Sequence, residues 1–162
     1  MKTYVIPRSF PGQLAIVARP RGNDWLETDV IQFKRAGWNV LVSALEPAEE
    51  RELGLEDESI MAQLHEVKFL SMPIADRGTP GVAKATEFVG ELKRLLSSGD
   101  NVAVHCRMGI GRSSLLCAAT LVAFGEHPDP TWDLLSEVRG LSVPDTDEQR
   151  RWLGVFQRAQ RE

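Results

Sequence analysis

Four short apolar runs punctuate this chain, at 14–18, 38–44, 66–72 and 101–105. Runs of that length, bounded by Gly, Pro, Asn and charged residues, read as buried strands. Between and after them the apolar positions change period. Val82, Ala85, Val89, Leu92 and Leu96 recur every three or four residues, which predicts a helix over 80–97 with one face in the core. Trp152, Val155, Phe156 and Ala159 repeat that stripe near the C-terminus. Helices are expected at 24–36, 58–65, 80–97, 111–124, 129–139 and 146–160. Strands alternating with helices predict an α/β fold: a mainly parallel sheet of four to five strands with helices on both faces.

Composition narrows the class. A chain of 162 residues is read as a single domain over 1–162, long enough to bury one substantial core. Its 43% hydrophobic and 26% charged content is ordinary for a soluble globular protein. The net charge of −4 speaks against a nucleic acid or an anionic membrane as partner. No apolar run is long enough to span a bilayer, and the first residues carry no signal-peptide pattern. Two cysteines in such a chain suit a reducing compartment, so a cytoplasmic protein, monomeric in the simplest case, is expected. No repeat, low-complexity segment or linker is visible.

The chemistry concentrates in Val102-Ala103-Val104-His105-Cys106-Arg107-Met108-Gly109-Ile110-Gly111-Arg112-Ser113, which leads into the apolar run Leu115 to Phe124. Strand, tight loop and helix N-terminus in that order form an anion site, because free backbone N–H groups converge where the helix dipole is positive. A cysteine at the mouth of such a nest is pushed toward thiolate. Beside a bound phosphate ester it is a positioned nucleophile. Gly109 and Gly111 let the backbone approach an anion closely. The amides of Arg107, Met108, Gly109, Ile110 and Gly111, together with the planar fork of Arg112, are the expected phosphate ligands. Ser113 is placed to donate to the Cys106 sulfur. His105, pointing away from Cys106 by strand alternation, is read as an organiser of the loop backbone.

Other readings of the loop are weaker. Gly109-Ile110-Gly111 resembles part of a dinucleotide fingerprint, but Ser114 stands where the third glycine belongs. A nucleotide P-loop requires Gly-Lys-Ser/Thr, and Arg112 occupies the basic position. Cys106, Cys117, His65, His105 and His127 show no paired zinc-ligand spacing, so no metal is expected. Cys117 lies in an apolar helical run and is read as core, with a reversible Cys106–Cys117 disulfide left open.

His-Cys, five residues, then Arg-Ser resembles the cysteine-dependent protein tyrosine phosphatase superfamily, and the chain's size resembles its compact dual-specificity branch, including small bacterial and cyclin-kinase-associated members. The resemblance covers roughly residues 10 to 160 and implies the phosphatase α/β fold. It also implies a phosphomonoester hydrolase that works through a cysteinyl-phosphate on Cys106 without metal or cofactor. Asp76, in Pro73-Ile74-Ala75-Asp76-Arg77-Gly78-Thr79-Pro80, matches the acid that protonates the leaving oxygen. The plain alternative is a solvated Asp in a turn, with Thr79 capping a helix and Pro80 at its first position. Gln149 matches a residue that positions the hydrolytic water, yet Thr146-Asp147-Glu148-Gln149 is equally a capping box. The stretch from Leu14 to Leu26 is similar to the opening βα unit of bacterial members, in which Arg19 and Arg21 touch substrate or are merely solvated or paired.

The implied substrate is a phosphorylated protein, with phosphotyrosine first and phosphoserine or phosphothreonine open, or a small phosphoester. Three rivals remain. A phosphate-binding pseudophosphatase keeps the fold without turnover. A phosphoinositide phosphatase usually carries loop lysines where Arg107 and Met108 stand. An arsenate reductase needs further redox cysteines, and only Cys117 is available.

Overall fold

A computed structural model describes residues Met1–Glu162. Five strands form one sheet: β1 (Thr3–Val5), β2 (Leu14–Val17), β3 (Val40–Ser43), β4 (Lys68–Ser71) and β5 (Val102–His105), in the order β1-β2-β5-β3-β4. All neighbours run parallel except the edge strand β1, which pairs antiparallel with β2. Seven α-helices cover it: α1 (Leu26–Arg35), α2 (Pro47–Leu53), α3 (Glu58–Leu64), α4 (Val82–Ser97), α5 (Arg112–Ala123), α6 (Pro128–Arg139) and α7 (Asp147–Gln160). The expected α/β class, mainly parallel sheet and two-sided helical cover are all present.

The inner strands β2, β3 and β5 are buried at every position, which is why they read as unbroken apolar runs rather than alternating ones. Each face of the sheet closes its own core. Ala15, Val17, Leu41 and Ala103 pack with Leu26, Val30 and Phe33 of α1 and Ala62 of α3. Leu14, Ile16, Val42 and Val104 pack with α4, α5, α6 and α7. Helix α5 is buried from Arg112 through Val122, so it is an internal helix with no polar face.

Several elements depart from expectation. β1 and α2 were not anticipated. The helix expected at 24–36 is a 3₁₀ turn, Asn23–Trp25, followed by α1. α4 begins at Val82 with Gly81 as its N-cap, so Thr79 is not the cap and Pro80 is not the first helical residue. The chain stays extended there because tertiary bonds claim its carbonyls: Trp152 Nε1 donates to Pro80 O at 2.8 Å and Gln149 Nε2 to Gly78 O at 3.0 Å. In α7, Trp152 and Phe156 are core, but Val155 is exposed and Leu153 takes the buried position. No helix is long and apolar enough to cross a membrane.

Candidate active site

β5 ends at the C-terminal edge of the sheet and delivers Cys106 to the floor of a pocket of about 100 Å³. Its wall is built from Asp76, Arg77, Arg107, Met108, Ile110, Gly111, Arg112 and Asp145. The Cys106 side chain is buried, with Sγ 3.2 Å from Ser113 Oγ and 3.3 Å from the Gly109 N–H that points at it. The amides of Arg107, Met108, Ile110 and Gly111 donate to no group within the protein. These free donors curl round the pocket at the N-terminus of α5, the geometry of an anion nest. Gly109 has φ +70°, a conformation that favours glycine. At Gly111 an added Cβ would come 3.0 Å from the Gln149 amide and from Asp145 Cβ, so a side chain there would force those neighbours to give way.

Arg112 opens α5 and is only 2% exposed. Its Nη1 donates to Glu49 Oε2 at 2.7 Å and to Ile74 O at 2.9 Å, while Nη2 donates to Glu49 Oε1 at 2.8 Å. This is the bidentate fork geometry that only arginine makes. Burial is the largest single influence and opposes the Arg112 charge, but the hydrogen bonds to Glu49 and the attraction of Cys106, Glu49 and Asp76 together outweigh it, and the guanidinium is held above its usual value. Those same bonds hold the Glu49 carboxyl below its ordinary range against the cost of burial. Nη2 also reaches Asp76 Oδ1, at a longer 3.3 Å. Asp76 hangs over the pocket with its side chain 66% exposed.

Beneath the loop, His105 is fully buried. Its Nδ1 faces the Cys106 carbonyl at 3.2 Å, and since a carbonyl only accepts, Nδ1 donates. Its Nε2 meets the buried carboxyl of Glu58. His105 therefore orients the loop backbone and points away from the Cys106 sulfur. Burial pushes the neighbouring Glu50 carboxyl up, and the Glu58 charge adds to that.

The other sequence candidates fall as follows. Gln149 is buried, with its Oε1 accepting from the Asp145 and Thr146 amides and its Nε2 donating to Gly78 O. The Thr146–Gln149 capping box is fully formed. Arg21 pairs with Asp29 and stacks on Trp25, Arg19 is half-buried, and neither lines the pocket. Both cysteines are free thiols; Cys117 lies in the core, and burial pushes its thiol far up.

A family model described as "Tc-R-P: Polymorphic toxin system, DSP-PTPase phosphatase" matches residues 17–126, a span that includes Asp76, Cys106 and Arg112. The chain belongs to this phosphatase family. Over 86 residues it is 35% identical to human "Cyclin-dependent kinase inhibitor 3", covering 52% of this chain and 41% of that protein. The match thus spans under half the length of that relative. Among solved structures, kinase associated phosphatase with its catalytic site cysteine substituted by serine superposes with a TM-score of 0.86 at 24% identity, over 92% of this chain and 88% of that one. PTPMT1 in complex with PI(5)P superposes with a TM-score of 0.76 at 19% identity, over 91% of each. Both structural likenesses show the fold.

Within this phosphatase site, three residues escaped the sequence reading. Glu49, which holds Arg112, sits in Glu46-Pro47-Ala48-Glu49, where the first and last residues form a capping box and Pro47 opens α2. That signature of a helix start was available; its tie to Arg112, 63 positions away, was not. Glu58 is an ordinary first-turn acid in sequence and a buried partner of His105 in space. Asp145 reaches the pocket wall from the loop before α7 and pairs with Arg77 at 3.3 Å.

Proposed function

We propose that this chain is a phosphomonoesterase of the dual-specificity type, acting through a cysteinyl-phosphate on Cys106. The observation that carries the reading is the convergence on one pocket of a sulfur held by two donors, a ring of free amides, the Arg112 fork and the Asp76 carboxyl. In the first step Cys106 Sγ attacks phosphorus, the sulfur–phosphorus bond forms, and the bond to the ester oxygen breaks. Asp76, protonated, gives its proton to that departing oxygen. In the second step Asp76, now a carboxylate, takes a proton from water as the water oxygen attacks phosphorus and the thiolate leaves. Ser113 donates to that leaving sulfur. The nest amides and Arg112 favour the charge that spreads over the phosphoryl oxygens in both steps.

Arg112 is prepared for this without being free. Glu49 and Ile74 O occupy Nη1, and Glu49 also occupies one side of Nη2. A phosphoryl group takes the Nε–H and the Nη2 side now held by the longer Asp76 contact. Binding thereby releases Asp76 toward the leaving oxygen while Glu49 keeps the fork in place. Gln149 acts on this reading by bracing the acid-bearing loop through Gly78 O, since both ends of its amide are already bonded.

The pocket favours a broad substrate range. Its volume of about 100 Å³ is well below the roughly 300–1,000 Å³ of pockets that engulf a drug-sized ligand. It receives a phosphoryl head and leaves the rest of the substrate on the rim, where Met108 is 70% exposed. Phosphotyrosine, phosphoserine and phosphothreonine side chains all satisfy that. A phosphorylated protein met in the cytoplasm by a monomeric enzyme is the partner we favour. The rim cations Arg77 and Arg107 are each paired to a carboxylate, Asp145 and Glu52, which disfavours a multiply phosphorylated inositol headgroup.

The test is hydrolysis of para-nitrophenyl phosphate and of phosphotyrosine and phosphothreonine peptides, with EDTA and reductant present, by wild type and Cys106→Ser. Turnover by wild type on all three, lost in the variant and blocked by orthovanadate, supports the reading. Oxyanion binding without any turnover by wild type would replace it with a phosphate-binding module.

A further inference from the structure

Arg139 is the last residue of α6 and lies thirty positions from the Cys106 loop, yet its Nε donates to Gly109 O at 2.7 Å. Its guanidinium carbon stands 4.2 Å from the centre of the Tyr4 ring, a cation–π platform supplied by the edge strand β1. Arg139 forms no ion pair and is half-buried. An arginine ending a helix is commonplace and is favoured there by the helix dipole. This one does more than end a helix, because it is spent on a single carbonyl inside the phosphate loop.

The consequence follows from peptide geometry. A trans peptide is rigid and planar, and its C=O and N–H point in opposite directions within that plane. The plane whose oxygen is Gly109 O carries Ile110 N–H. Arg139 draws the oxygen outward, so the same plane turns Ile110 N–H the other way, toward the pocket that Ile110 lines. Ile110 N–H has no acceptor within the protein. Gly109, at φ +70°, flanks this plane and lacks the Cβ that would bar its turned orientation. Rotated by half a turn, the plane would present a carbonyl oxygen to a phosphoryl oxygen, replacing an attraction with a repulsion.

We propose that Arg139, braced on Tyr4, is a positioning residue of the phosphate loop: it locks the Gly109–Ile110 peptide so that Ile110 N–H faces the phosphoryl group. This rests on the phosphomonoesterase reading only in taking the ligand to be a phosphoryl oxyanion. The charge of Arg139 adds to the field of the loop, but the lock is directional and belongs to its Nε–H.

The experiment measures inorganic phosphate binding by titration calorimetry in the Cys106→Ser background, alone and combined with Arg139→Met, Arg139→Lys or Tyr4→Leu. The amide of Ile110 is followed by ¹⁵N-resolved NMR in the same samples. Methionine keeps the bulk of the stem and removes the donor. Arg139→Met removes a charge-assisted hydrogen bond from the loop and is expected to weaken phosphate binding by about tenfold or more. Arg139→Lys should recover part of that loss and Tyr4→Leu should lose a smaller share. Phosphate should shift the Ile110 amide strongly in the parent and hardly at all in Arg139→Met, a signature that mere loss of stability does not produce. Phosphate affinity within about twofold of the parent, with an unchanged Ile110 shift in Arg139→Met, overturns the proposal. Binding that is intact in the parent while the Cys106 enzyme shows no turnover overturns the phosphatase reading and leaves the Arg139 lock to be judged on the same data. No phosphate binding by the parent overturns both.

Discussion

Replacing Glu49 by glutamine puts the preorganisation of Arg112 to the test. The carboxylate holds the guanidinium through two short bonds, at 2.7 and 2.8 Å, with Arg112 2% and Glu49 12% exposed. Removing one member of a buried ion pair costs about 3–5 kcal/mol. Glutamine preserves the shape and one acceptor oxygen, and Ile74 O and Asp76 still receive Arg112, so a loss of about 2–3 kcal/mol is expected, the weight of one charge-assisted bond. At about 2–4 °C per kcal/mol for a chain of this size, the melting temperature at pH 7 should fall by about 4–12 °C. The loss has a defined pH dependence. In the folded protein the Glu49 carboxyl is held below its ordinary value of 4.5, chiefly by the Arg112 hydrogen bonds. Its contribution is therefore fully present above that ordinary value and is lost as pH falls through the lowered folded one. The gap in melting temperature between wild type and Glu49→Gln should be widest at neutral pH and close in acid. Turnover should fall as well, by about 10–100-fold in kcat/KM, the scale of a small misplacement of a binding group. Glu52→Gln, which removes only the exposed partner of Arg107, is the control and should change little. A Glu49→Gln protein whose melting temperature lies within about 1 °C of wild type at pH 7 and whose kcat/KM is within about twofold would refute the reasoning.

The remaining predictions concern the chemical steps and the second cysteine. Asp76→Asn should lower kcat by about 10²–10⁴-fold on alkyl phosphates and phosphoserine peptides, and less on para-nitrophenyl phosphate, whose oxygen leaves readily without a proton; equal loss on all substrates would remove Asp76 as the acid. Ser113→Ala should slow breakdown of the intermediate more than its formation, visible as a burst of nitrophenol followed by a slower steady rate; a uniform slowing without a burst would count against the role given to its hydroxyl. Cys117→Val should retain wild-type turnover and the same loss of activity to peroxide, since its thiol lies in the core with its Sγ on Ala15 O; a variant markedly more sensitive to irreversible oxidation would indicate a protective Cys106–Cys117 disulfide.

The parts of this fold written in the sequence are those with an uninterrupted pattern. β2, β3 and β5 are buried on both faces, so their apolar runs stand out, and α4 has a single core stripe. β1 was hidden because Thr3-Tyr4-Val5 is short and only half-buried at an edge. α2 was hidden because Pro-Ala-Glu-Glu-Arg-Glu-Leu has no apolar stripe and no buried residue. The site divides in the same way. Cys106, Arg112 and Ser113 lie within one strand–loop–helix segment, where spacing alone fixes their relation. Glu49, Glu58 and Arg139 reach the loop from other elements, and no local pattern encodes a contact made by folding. Val155 misled because its spacing suits the core stripe of α7 while Leu153 occupies the inner face. Thr79 and Pro80 misled because their helix-start chemistry was overridden by the bonds of Gln149 and Trp152.

The central claim is a covalent phosphoryl group on Cys106, and rapid quench with mass analysis of the Cys106 peptide tests it most directly. Wild type mixed with excess para-nitrophenyl phosphate and quenched in acid should carry a phosphoryl adduct on Cys106. The adduct should accumulate further in Ser113→Ala and be absent from Cys106→Ser. Turnover by wild type with no adduct on Cys106 at any quench time, in Ser113→Ala as well, would contradict the account.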